Sequence, residues 1–111
     1  MTFTIENIEK AKNNSNILHE KLQAQQNKPW EVQPKNPDSW CISLTLPQKN
    51  HGVNIFIQCD PNQLNSYKIT ILTYDGKTIY EYYSESNSII LLLDKLCKVS
   101  NESFNGEVLL V

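Results

Sequence analysis

Strict alternation of apolar and polar residues over positions 40–46 and 53–59 is the most regular pattern in the chain. Every second residue is apolar, and these residues are Trp40, Ile42, Leu44, Leu46, Val53, Ile55, Ile57 and Cys59. Successive side chains of a strand point to opposite faces, so the pattern predicts two strands with one packed face and one polar face. Phe56 lies among the polar positions and is therefore predicted on the polar face.

Two further β-rich segments flank Asp75-Gly76 and predict a hairpin. Asp-Gly favours tight hairpin turns because glycine accepts a positive φ without steric cost. A two-residue loop pairs Ile71 with Tyr80, whereas a three-residue loop with Gly76 as a bulge pairs Ile71 with Ile79. The two registers place different tyrosines on the polar face, and the sequence alone does not choose between them.

Helical periodicity occurs near both ends of the chain. Residues 4–26 predict a helix, because apolar residues recur three, four or seven positions apart at Ile5, Ile8, Ala11, Leu18 and Leu22. Short polar side chains at 13–16 compete for backbone hydrogen bonds, so a break in this helix is predicted there. Residues 87–100 predict a second helix whose first turns are apolar nearly all round, which indicates burial on more than one side.

The remaining segments complete the predicted order of elements. Residues 27–38 contain three prolines and predict an extended connector. Residues 39–84 predict a four-stranded antiparallel meander, and residues 107–111 a short edge strand. This order indicates one α+β domain over residues 1–111, with both helices on one face of the sheet.

Composition and charge narrow the classes of function. All ten basic residues are lysine, against twelve acidic residues, and the formal net charge is −2. Because the planar fork of arginine is the preferred contact to phosphate, its absence disfavours a role in reading nucleic acid. The longest apolar run, 89–93, is too short for a membrane span, and residues 1–10 lack the order of a signal peptide. Three widely spaced cysteines, Cys41, Cys59 and Cys97, fit a reducing compartment, so we expect a cytoplasmic protein without membrane contact.

Motifs with catalytic or metal-binding spacing are not evident. Gly76-Lys77-Thr78 resembles the end of a phosphate-binding loop, but Ile71 stands where that motif needs its first glycine. Neither His19 nor His51 has a partner at metal-ligand spacing. Thiol catalysis would need Cys41 beside His51, and a plain strand rarely carries a nucleophile. We therefore expect no enzymatic activity, no metal and no cofactor.

Binding to another protein is the function that these observations favour. We expect a small intracellular accessory or regulatory protein, such as an adaptor, an inhibitor or an immunity protein. The candidate partner-binding residues are Trp30, Phe56, Lys68, Tyr74 and Tyr83. Trp30 lies in the proline-rich connector, where its ring either pins the connector to the domain or serves as an exposed anchor.

Two further interactions are compatible with the same residues. Aromatic side chains interleaved with lysine on an open sheet are typical of proteins that bind single-stranded nucleic acid, which is the alternative function. The predicted edge strand and the strongly apolar second helix also allow a homodimer, because unpaired edges readily pair with another chain.

Overall fold

The computed structural model of the protein describes residues 3–46, 53–72 and 76–97. Its elements are α1 (Ile5–Gln23), β1 (Glu31–Val32), β2 (Cys41–Leu46), β3 (Val53–Gln58), β4 (Tyr67–Leu72), β5 (Thr78–Tyr83) and α2 (Ser86–Cys97). The strands form one antiparallel sheet in the order β1-β2-β3-β4-β5. The predicted α+β class and meander are confirmed, with five strands instead of four.

The additional strand, β1, lies within the predicted connector. Glu31 and Val32 pair with Thr45 and Leu44 of β2, and the Gln33 N–H extends the ladder. Two residues are too few to show alternation, so only the pairing with β2 identifies this strand. The edge strand predicted at 107–111 lies outside the described residues.

Helix α1 is continuous, and the predicted break at residues 13–16 is wrong. The helix begins where the side chain of Thr4 accepts a hydrogen bond from the Asn7 N–H at 3.1 Å, a typical N-cap. The Ser15 hydroxyl lies 3.1 Å from the carbonyl oxygen of Ser39, and the Asn16 amide donates to Pro37 O at 3.2 Å. The Ser15 hydroxyl also lies 2.9 Å from Lys12 O in the preceding turn, so it contacts both the helix backbone and the connector without interrupting the helix.

The packed side of α1 begins later than the apolar periodicity indicates. Its buried residues are Ala11, Ser15, Leu18 and Leu22. Ile5 is 82% exposed, although it belongs to the apolar periodicity that predicted the helix. Ile5 therefore follows the helical periodicity of α1 but does not pack against the sheet.

One hydrophobic core lies between the sheet and both helices. It combines Leu18 and Leu22 of α1, the apolar row of β2 to β4, and Ile89, Leu92, Leu93 and Leu96 of α2. Both helices therefore cover the same face of the sheet. Leu91 is 68% exposed, so one side of α2 faces solvent within the described residues. In that part of the chain, neither helix has the length and apolar character needed to cross a membrane.

The hairpin adopts the register of the three-residue loop. Ile71 pairs with Ile79, and Leu72 pairs with Thr78. Gly76 has φ 87°, in the region that glycine reaches without steric cost. Ile79 therefore points to the core side of the sheet, and this decides which tyrosines point away from it.

Candidate binding face of the sheet

Among the residues that the structure describes, no helix covers the second face of the sheet, and we call it the open face. It consists of the strand side chains that point away from the core, namely Glu31, Cys41, Ser43, Thr45, Asn54, Phe56, Gln58, Lys68, Thr70, Leu72, Thr78, Tyr80 and Tyr82. Neighbouring strands place Phe56, Thr70 and Tyr80 in one cross-strand row. Gln58, Lys68 and Tyr82 form the adjacent row. Three aromatic rings and one lysine thus lie close together on the open face.

The rings of β5 are the most accessible part of this surface. Tyr80 and Tyr82 are each 55% exposed, and Leu72 in the adjacent strand is also exposed. The Lys68 ammonium lies 4.6 Å from the centroid of the Tyr80 ring, in the geometry of a cation–π contact. This contact orients the ring without burying it, so an apolar surface remains available to a ligand.

Charge on the open face is sparse. Among the strand residues that the structure describes, Lys68 and Glu31 are the charged side chains on this face. Glu31 lies on β1 at one edge of the sheet, whereas Lys68 lies beside the aromatic rings of β5. The centre of the open face is therefore aromatic with one positive charge.

The predicted binding residues do not all lie on this face. Phe56 and Lys68 are there, and Tyr74 lies outside the described residues. Tyr83 pairs with Tyr67 on the helix side and packs against the core. Burial, with a smaller contribution from Glu81, raises the pKa of the Tyr83 phenol. Tyr83 is therefore partly buried on the helix side, away from the open face.

Trp30 pins the connector to the domain. Its side chain is 7% exposed and belongs to the hydrophobic core. The Lys28 ammonium lies 5.4 Å from the ring centroid and 2.9 Å from Asp94 Oδ1 of α2. The sequence left two alternatives for Trp30, a ring that pins the connector or an exposed anchor. In the structure the ring pins the connector.

The sequence did not identify Tyr80 and Tyr82 as binding residues. A slip of one residue in the hairpin exchanges the two faces of β5, so their exposure depends on the register. Asp75-Gly76 did not decide the register, because this dipeptide fits both a two-residue loop and a bulged three-residue loop.

Another candidate for chemistry is Cys41, which lies exposed at one end of the open face. Although the residue as a whole is exposed, partial burial of its sulfur raises the pKa of the Cys41 thiol. The charge of Lys35 only partly opposes this shift. A raised pKa reduces the thiolate fraction at neutral pH, whereas nucleophilic cysteines generally have a lowered one. Among the described residues, no group of three His, Cys, Asp or Glu side chains is arranged to hold a metal ion.

Alkylation of the three thiols tests this assignment. Burial, and then the charge of Asp94, raises the pKa of Cys97 to about 11. Since the rate follows the thiolate fraction, we expect each thiol to react more slowly at pH 7 than a small unperturbed thiol. The rates should rise with pH into the alkaline range. Mass spectrometry of iodoacetamide adducts would measure them, and a Cys41 that reacts faster than the free thiol at pH 7 would contradict the assignment.

Comparison of the chain with protein-family models, with curated proteins and with solved structures gave no match.

Proposed function

We propose that the protein is a small binding module that contacts a partner protein through the open face of its sheet. The observation that carries the proposal is the exposure of Tyr80 and Tyr82 beside Leu72, on the side of the sheet opposite both helices. Exposed tyrosines grouped on a rigid sheet are typical of interface hot spots. The rigid strands place the rings at fixed positions, which lowers the entropic cost of binding.

The residues of the open face indicate which chemical groups the partner surface carries. Polar groups at Ser43, Thr45 and Gln58 lie around the aromatic centre, as in interfaces with an apolar core and a polar rim. Lys68 supplies one positive charge near that centre. The partner surface that fits is therefore apolar or aromatic, with one carboxylate placed to meet Lys68.

This surface suits an accessory or regulatory protein without catalytic activity, such as an adaptor, an inhibitor or an immunity protein. All three cysteines are free thiols, which suits the reducing conditions of the cytoplasm. The raised pKa of Cys41 also favours a binding role over thiol catalysis.

Binding of single-stranded nucleic acid is the second candidate, because bases stack on exposed aromatic rings. Lys68 beside Tyr80 on the open face is the observation that favours it. Neutralisation of phosphates by cationic side chains, however, supplies much of the affinity in such binding. One lysine at the centre of the open face and a net charge of −2 therefore favour a protein partner.

The test is affinity capture from a nuclease-treated lysate of the source organism with matched variants. In the double variant Tyr80→Thr/Tyr82→Thr, both rings are lost but β-propensity is kept, so folding should change little. The control Leu91→Ser removes an exposed apolar side chain from the helix side.

We expect the wild type and Leu91→Ser to capture the same stoichiometric protein, and the double variant to bind it at least about tenfold more weakly. Loss of binding in Leu91→Ser alone would show that the interface lies on the helix side. Salt-sensitive binding of single strands, with no protein captured after nuclease, would support the second candidate instead.

A further inference from the structure

The two outer strands of the sheet differ in their capacity to pair with another chain. β1 has two residues and lies between Pro29 and Pro34, and short strands and prolines hinder pairing at an edge. β5 has six residues without proline, and β4 is its neighbour in the described sheet. β5 is therefore the edge that offers a regular row of backbone groups.

The direction of these backbone groups follows from the ladder. The Cys59 N–H donates to Trp40 O at 3.0 Å, so these two residues form a hydrogen-bonded pair between β2 and β3. Hydrogen-bonded and non-hydrogen-bonded pairs alternate along antiparallel strands, and each residue directs both backbone groups to the same side. We apply this alternation to the observed registers of β3, β4 and β5. The N–H and C=O groups of Ile79 and Glu81 then point towards β4. The residues between and beside them, Thr78, Tyr80 and Tyr82, therefore direct their N–H and C=O groups outwards.

We propose that β5 pairs antiparallel with β5 of a second copy of the chain, across a two-fold axis beside Tyr80. In this register Tyr80 lies opposite Tyr80 of the second copy, and Thr78 lies opposite Tyr82. All three outward-directed residues then meet outward-directed residues, so the hydrogen-bonded pairs of a regular ladder form on both sides of the axis. The two sheets become continuous.

Ladder length and charge select this register over those shifted by one residue. A two-fold axis beside Ile79 or beside Glu81 would also match outward groups, but each would pair only two of the three outward-directed residues of β5 with one another. An axis beside Glu81 would in addition place two Glu81 carboxylates directly opposite each other, which is destabilising. With the axis beside Tyr80, each Glu81 lies opposite Ile79 of the second copy, so the two carboxylates are diagonal rather than directly opposite.

Burial along β5 agrees with a continued sheet. The helix-side residues Ile79 and Glu81 are only half-buried, whereas their cross-strand partners Ile71 and Ile69 are fully buried; Tyr83 is also half-buried. A further strand beside β5 would cover them. The pairing would also join the open faces of both copies, leaving Tyr80 and Tyr82 accessible. The dimer does not depend on the proposed partner protein.

A single substitution tests the outward N–H of Tyr80 without changing the other residues of β5. Tyr80→Pro removes an N–H that is not directed at β4, and edge strands accept proline at such positions, so the hairpin is retained. The control Tyr80→Thr removes the same ring but keeps the N–H and a high β-propensity. Only the proline variant should therefore lose the dimer.

Light scattering and sedimentation of the full chain from micromolar to millimolar concentration would measure this. We expect a dimer for the wild type and Tyr80→Thr, and a monomer with unchanged circular dichroism for Tyr80→Pro. A wild type that stays monomeric over the whole range, or a Tyr80→Pro variant that still dimerises, would overturn the proposal.

Hydrogen exchange of the wild type tests the same proposal without the proline variant, so the result does not depend on whether that variant folds. In the wild type, the Tyr80 and Tyr82 amides should become more protected as the concentration rises and the dimer forms. Protection that does not change with concentration would mean that another part of the same chain covers β5, and would overturn the proposal.

Discussion

Replacing Leu93 with alanine is expected to lower the free energy of unfolding by about 2–5 kcal/mol, the range measured for fully buried leucines. Leu93 has no exposed surface and belongs to the core between α2 and the sheet. The variant loses the apolar contacts of the side chain and leaves a cavity that the rigid sheet fills only in part. Urea unfolding, followed by circular dichroism, would measure the loss.

Leu91 is the matched control, because it is the same residue type two positions earlier on α2. Leu91 is largely exposed, so Leu91→Ala should change the free energy of unfolding by no more than about 0.5 kcal/mol. Equal losses for the two variants would show that α2 packs through a different face from the one described.

Replacing Trp30 with alanine is expected to lower the free energy of unfolding by about 3–5 kcal/mol, as for other buried large aromatics. The ring packs in the core, and its loss also removes the aromatic neighbour of the Lys28–Asp94 ion pair. The connector would then be held to α2 mainly by a partly exposed ion pair, which contributes little by itself. Urea unfolding measures this loss as well.

Trp30→Phe is the graded control, since it keeps an aromatic ring in the same position and should cost less than the alanine variant. A Trp30→Ala variant with full stability but without partner binding would contradict the structure. It would support the exposed anchor, which is the other role that the sequence allowed for Trp30.

The sheet was predictable because its core is encoded by local alternation. In β2 and β3 the apolar residues recur at every second position, and the structure buries Ile42, Leu44, Ile55 and Ile57 as the pattern predicts. β1 was not predictable as a strand, since the sequence predicts only an extended connector there and the pairing with β2 is what makes two of its residues a strand. Its formation depends on contacts distant in sequence, which a local pattern does not contain.

The continuity of α1 was mispredicted for a similar reason. Intrinsic propensity disfavours Asn and Ser within a helix, but this preference is weak and tertiary contacts override it. Ser15 is buried, and its hydroxyl lies within hydrogen-bond distance of both Lys12 O and Ser39 O, while the Asn16 amide donates to Pro37 O. The polar turn of α1 is thus the part that attaches the helix to the connector.

The candidate binding face was predictable in position but not in all its residues. Alternation placed Phe56 on the polar face, and the structure has it there together with Lys68. The tyrosines depended on the hairpin register, and a slip of one residue moves each of them to the opposite face. The structure places Tyr83 on the helix side and leaves Tyr80 and Tyr82 exposed on the open face.

Hydroxyl-radical footprinting of the full chain, free and bound to its captured partner, would show whether the partner covers the open face. We expect rapid oxidation of Tyr80 and Tyr82 in the free protein and strong protection of both in the complex, with Leu91 oxidised equally in the two states. Protection confined to Leu91 and the rest of the helix side, with Tyr80 and Tyr82 unchanged, would contradict this expectation.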